Sequence, residues 1–228
     1  KNDLTVKNIR LWEHRPLLTS YGQLQEIRTY YDFLDADNDR YLVNGEYRQV
    51  MLSVRELVPD CLPSRIWINE HLTFTHGYGL VLSPVNRVSA EGLPVFHLKD
   101  IPPASSVPLK ITRPEIYYGE LANEYVFVNT GSKELDYPAG EENVYTTYQG
   151  RGGVLVGSVF RKALFALRFG TLRILLSQDI LPESRVMYYR RIGDRVSKVA
   201  PFLRYEPDPY MVIGQDGRLF WIVDAYTT

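Results

Sequence analysis

Asp35, Asp37 and Asp39, with Glu46 seven positions on, reproduce positions 1, 3, 5 and 12 of a calcium loop, and Leu42 fits its apolar eighth position. The chemistry would be oxygen coordination of a hard cation. Arg40 stands where such a loop needs glycine, and Asn44-Gly45 directs Glu46 into a strand, so the pattern argues against an EF-hand. The three aspartates remain candidates for another calcium site, against the plainer reading of a solvated acidic turn. His76, in Thr75-His-Gly-Tyr-Gly79, is the candidate general base, with Asp100 or Glu120 as the carboxylate that folding could bring to it. The plainer reading has His76 bonded to a carbonyl of the glycine turn and His71 stacked on Trp67. His71, His76 and Glu70 lack the His-Glu-x-x-His order of a zinc protease. Gly152 to Gly157 followed by Ser158 lacks the lysine of a phosphate loop, and no Gly-x-Ser-x-Gly elbow occurs. No catalytic motif is therefore assigned.

The elements that must position these residues follow from periodicity. Leu17, Tyr21, Leu24 and Ile27 fall at helical steps within a stretch from Leu17 to Tyr30. Asn44-Gly45 marks a type I′ hairpin, and the strand after it points Val50, Leu52 and Val54 inward. Ser64 can cap a short helix leading to His76. Leu80, Val81 and Leu82 read as a buried strand that turns at Ser83-Pro84, with Gly77 and Gly79 allowing positive φ or close backbone approach. Short strands follow, interrupted by an extended connector at residues 101–108, the best internal boundary. Residues 129–153 read as one long acidic loop. Ser158 and Gly170 bracket a helix, Thr171 caps a second, and Pro182 opens a third that carries Tyr188, Ile192, Val196 and Val199 on one face. The chain closes with a hairpin turning at Asp216-Gly217. The expected class is α+β: mixed short strands and hairpins with a basic helical segment in the C-terminal half.

The 228 residues, 45% of them hydrophobic, suffice for a packed core. With a net charge of −1, the chain lacks the basic excess of a general nucleic-acid binder. The charge is uneven: residues 151–204 hold eleven Lys or Arg against three acidic residues, a local +8. That segment is expected to pair with the acidic remainder, or else to face anionic lipid or another acidic surface. Seventeen tyrosines, among them Tyr117 and Tyr188, can serve core packing or a stacking platform. One cysteine, Cys61, excludes an internal disulfide and a cysteine zinc centre. No run of eighteen uncharged apolar residues occurs, and the start at Lys1 suggests a piece of a longer protein.

Read together, several blocks point to a family. Asn8-Ile-Arg-Leu-Trp12, Asp39-Arg-Tyr41, Tyr47-Arg-Gln-Val-Met-Leu-Ser53, Thr75-His-Gly-Tyr-Gly79, Lys99-Asp-Ile-Pro-Pro103, Tyr117-Tyr-Gly-Glu120, Glu141-Glu-Asn-Val-Tyr145 and Asp224-Ala-Tyr-Thr-Thr228 resemble the uncharacterised protein family 0182, large bacterial multi-pass membrane proteins. The resemblance covers nearly the whole chain. It implies that residues 1–228 are a soluble domain outside the bilayer, on the extracytoplasmic side of the cell membrane, with the remainder of the parent protein as partner. It carries no catalytic residue over. The expected role is binding or scaffolding, with no cofactor beyond possible calcium and with anionic lipid or a cell-envelope component as the outside contact. The alternative is a hydrolase or transferase acting on cell-envelope material through His76 and a carboxylate.

Overall fold

In the computed structural model, which describes residues 3–227, the first long hairpin forms where its turn chemistry requires it. Asn44 and Gly45 take φ of 51° and 81°, and strand Asp37–Val43 pairs antiparallel with Glu46–Val54, Val43 opposite Glu46. Glu46–Val54 in turn pairs with Leu80–Pro84, Leu52 opposite Leu82. Leu98–Lys99 and Ala104–Ser105 complete a five-stranded antiparallel sheet. Residues 101–108, read as an extended connector, thus supply a tight turn and that sheet's edge strand.

Both faces of this sheet are covered, which is why its central strands read as continuous apolar runs rather than alternating ones. On one face Val50, Leu52, Val54, Leu80 and Leu82 pack with Met211 and Ile213 of the closing hairpin, Tyr210–Ile213 against Leu219–Ile222. On the other, Met51 and Val81 pack with Leu17, Tyr21 and Phe33. Leu17 and Tyr21 come from helix His14–Gln25, which is shorter than the expected Leu17–Tyr30 stretch. Leu24 and Ile27 are exposed, and Ile27 has left the helix with φ 68°, because Tyr21 and Gln25 define the buried stripe. The strand Leu80–Pro84 runs through Ser83-Pro84, and the chain turns at Val85 and Asn86 instead.

A second core surrounds Phe127, Val156, Ala166, Ile174 and Val186. It lies on the three-stranded sheet of Val126–Val128, Arg185–Met187 and Val154–Leu155. Helix Val159–Phe169 packs on it, with Ser158 accepting from the Arg161 N–H as its cap and Gly170 closing it at φ 67°. The next helix, Arg173–Leu176, starts after Leu172, and the Thr171 hydroxyl accepts from the Arg173 N–H at 3.4 Å.

Two other expectations are corrected. Pro182 opens no helix: Arg185–Met187 is a strand, and helix Ile192–Val199 starts only after Arg191, because Val186 and Met187 are needed in the sheet and the cores around it. The expected long loop at 129–153 contains a hairpin, Glu134–Ala139 against Glu142–Thr146, turned at Gly140. The class is α+β, as expected.

Candidate functional site

His76 arrives on a short, wide helical turn, Asn69–Thr73, that Ser64 does not cap. It is followed by strand Gly77–Tyr78, which pairs with Glu115–Ile116. Gly77 is glycine for space: a Cβ there would collide with the Arg55 carbonyl and the Glu56 backbone. Gly79 adopts φ 71°. The close approach leaves the His76 ring buried, tilted against Tyr117 at 4.6 Å between centroids.

The carboxylates brought to His76 are Glu134 and Asp136, neither Asp100 nor Glu120. Glu134 Oε2 accepts from Thr75 Oγ1 (2.8 Å) and Tyr117 Oη (2.9 Å), and Oε1 from the N–H groups of Asn129 and Tyr148. Burial first, then the charge of Glu134, pushes the Tyr117 phenol well up, which keeps it a donor. Because Thr75 spends its one proton on Glu134, its 2.8 Å contact with His76 must be donated by Nδ1–H of the ring. Nε2 then faces Asp136 Oδ1 at 3.6 Å, and neither atom has another partner. His76 therefore bonds a hydroxyl rather than a glycine-turn carbonyl. His71 stacks on Tyr125 (4.0 Å, 3°) and meets Trp67 tilted rather than stacked (5.6 Å, 53°), and its Nδ1 is 2.7 Å from the Tyr125 carbonyl oxygen.

Arg190, fully buried, locks this arrangement by donating to the carbonyls of Tyr117 (2.7 Å), Glu124 (3.2 Å) and Thr75 (2.6 Å). Arg55, equally buried, donates to the carbonyls of Gln25 and Tyr78. Burial lowers both guanidinium groups to about 10, still charged at neutral pH. No sequence motif marks either arginine. A charged residue at the end of a run such as Val50-Met-Leu-Ser-Val54 was their one visible signal.

Asp100 bonds to Gln25, and Glu120 belongs to a separate acidic mouth. There Asp35 and Asp37 meet Asp208, with carboxylate oxygens all within 4.8 Å of one another. Asp39 is not in that group. It sits two residues along the same strand and accepts from its neighbour Arg40 N–H. Glu56 and Glu120 close the mouth beside Trp221 around a cavity of about 10 Å³, the space of roughly one water-sized sphere. Burial and then the charges of Glu56, Asp37, Asp35 and Asp208 push Glu120 up to about 8; burial foremost pushes Asp37 to about 6. Asp35, Asp37 and Asp208 are the residues that could hold a cation, and Asp208 lay too far along the chain for a loop motif to include it.

The basic segment does not pair with the acidic remainder. Among the described residues, no Lys or Arg of 151–204 lies within 4 Å of a carboxylate. Its side chains bond to carbonyls and tyrosines instead, as Arg161 does to the Leu155 oxygen and Arg168 to the Tyr189 hydroxyl.

The family model described as Uncharacterised protein family (UPF0182) matches residues 1–228. A UPF0182 protein of Geotalea uraniireducens is 64% identical over 99% of the chain, one of Geobacter sulfurreducens 60% over 100%, and one of Pelotomaculum thermopropionicum 55% over 100%. The chain spans about a quarter of the length of these curated relatives. No solved structure matches it. A match over every residue, with relatives this similar along the whole chain, means that the chain belongs to the Uncharacterised protein family (UPF0182).

Proposed function

We propose that the chain is a binding or scaffolding domain of a longer, membrane-anchored protein, held outside the bilayer on the extracytoplasmic side, with the remainder of that protein as its first partner. The observation that carries the non-enzymatic reading is the state of His76. Its side chain has no exposed surface, and its Nδ1 and the whole Glu134 carboxylate are consumed by internal hydrogen bonds. A general base must reach the proton that it removes, and this one is sealed. The threefold greater length of the relatives beyond this chain supports a larger parent. No helix of the described residues is long and apolar enough to cross a membrane.

The topology is tested in the full-length protein by inserting alkaline phosphatase or a green fluorescent reporter at the Gly140-Glu141 hairpin tip. Active phosphatase with a dark fluorescent fusion is expected; the reverse pattern overturns the outer location. The alternative, a hydrolase or transferase on cell-envelope material, draws on the unpartnered Nε2 of His76 facing Asp136. Turnover of such material by the chain, abolished in His76→Asn while the fold is retained, would replace the binding reading.

A further inference from the structure

Helix Val159–Phe169 carries two apolar stripes at helical spacing. Phe165, Ala166 and Phe169 face the second core. Phe160, Ala163, Leu164 and Leu167 lie on the opposite side, where Phe160 is 73% and Leu167 83% exposed. The following turn repeats the arrangement: Ile174 is buried, while Leu172 and Leu176 are 70% and 75% exposed. A helix packed on a core needs one such stripe. A second one, continued onto the neighbouring helix, makes a contiguous apolar surface of the kind that marks an interaction site.

Its charge says what it meets. Residues 159–178 contain Arg161, Lys162, Arg168 and Arg173 and no acidic residue. At 100° per residue, Arg161 and Arg168 run along one edge of the outward stripe. Arg168 lies over the rings of Tyr188 and Tyr189, and Lys198 over Tyr189, so the basic rim continues to helix Ile192–Val199. Beyond the other end, Ile66, Ile68, Arg173 and Leu176 border an open apolar groove of about 540 Å³, in which Asp179 is the one carboxylate. These cations have no carboxylate within ion-pair distance among the described residues, so their charge is free to act outward.

We propose that this face is a docking surface for an anionic phospholipid bilayer. The protruding Phe160, Leu164, Leu167, Leu172 and Leu176 enter the headgroup boundary, and Arg161, Arg168, Arg173 and Lys198 meet lipid phosphates. A protein ligand would need carboxylates of its own to match four cations, whereas an anionic lipid surface offers that complement everywhere along the stripe. The proposal concerns this face alone and does not depend on which side of the membrane the domain occupies.

The test is co-sedimentation of the 228-residue chain with vesicles of phosphatidylglycerol and phosphatidylethanolamine, beside vesicles of phosphatidylcholine. Binding to the anionic vesicles is expected, weakening with salt and with neutral lipid. Leu167→Ser and Leu176→Ser should each reduce partitioning roughly tenfold or more, the value of one buried leucine, and Arg168→Gln about fivefold. Circular dichroism and melting should show all three folded, since Leu167 and Leu176 are mostly exposed and Arg168, itself exposed, only overlies the outer faces of the Phe169, Tyr188 and Tyr189 rings. Tyr47→Ser, at an exposed aromatic on the first hairpin, should bind as the parent does. Failure to bind anionic vesicles, equal binding to neutral ones, or binding that survives both serine variants overturns the proposal. So does a dimer, seen without lipid, that Leu167→Ser dissolves, because the face would then belong to a second copy.

Discussion

At the scale of single residues, the buried polar groups around His76 form a chain in which each proton is already spoken for. Thr75 Oγ1 is the shared link, accepting from His76 and donating to Glu134. Thr75→Val keeps the shape and removes both bonds, so it should destabilise the fold by about 1–3 kcal/mol. A denaturant titration reads this as a lower midpoint at unchanged slope. The acidic mouth behaves differently because burial holds three of its carboxyls, Asp37, Glu56 and Glu120, above their ordinary range. Glu120, raised to about 8, binds a proton in the folded chain that the unfolded chain releases near its ordinary value. Its contribution is fully present below about pH 4 and is lost as the pH rises through about 8. Glu120→Gln should therefore raise the melting temperature at pH 8.5 by roughly 2–4 °C, the shift of about 1 kcal/mol after discounting for solvent screening. It should also flatten the fall between pH 5 and 8.5; an unchanged pH profile would refute the assignment. The calcium expectation is tested in the same mouth. About millimolar calcium at pH 8 should raise the melting temperature of the parent chain and not that of Asp37→Asn, whereas no shift in the parent chain removes the ion.

At the scale of elements, Arg190 ties the paired strand ends at Thr75 and Tyr117 to the turn at Glu124, which that small sheet does not include. Its planar fork satisfies three carbonyls at once, which a single ammonium on a flexible stem does not reproduce. Arg190→Lys should leave two of them without a partner and cost roughly 2–6 kcal/mol, measured by thermal or urea unfolding. A change below about 1 kcal/mol would mean that water or a neighbour replaces those bonds. The helix that starts at Ser158 shows the opposite case. Cap, body and Gly170 terminator are all local, so the element was legible before its packing was known. Tyr188 illustrates the limit. Its spacing to Ile192 suits a helix, yet it follows a strand whose Val186 and Met187 are both buried in packed clusters, and that packing overrides the local period.

At the scale of the whole molecule, the edge hairpin at 98–105 continues the largest sheet, and Arg190 and Glu56 reach across between the two cores. Unfolding is therefore expected as one cooperative transition, with calorimetric and van't Hoff enthalpies equal; two separated transitions would restore a boundary at residues 101–108. What the sequence determined by itself was everything governed by neighbours along the chain: the α+β class, the Asn44-Gly45 and Asp216-Gly217 hairpins, the capped helix and the uneven charge. These depend on backbone preferences and periodicity within a few residues, as did the family resemblance carried by contiguous blocks. Tertiary structure alone decided which side chains each carboxylate met. Asp208 joins Asp35 and Asp37 from the far end of the chain, Glu134 and Asp136 reach His76 across about sixty residues, and the basic helices turn outward instead of pairing. Side-chain encounters of that range depend on how sheets and helices stack, and stacking depends on all of the buried surface at once.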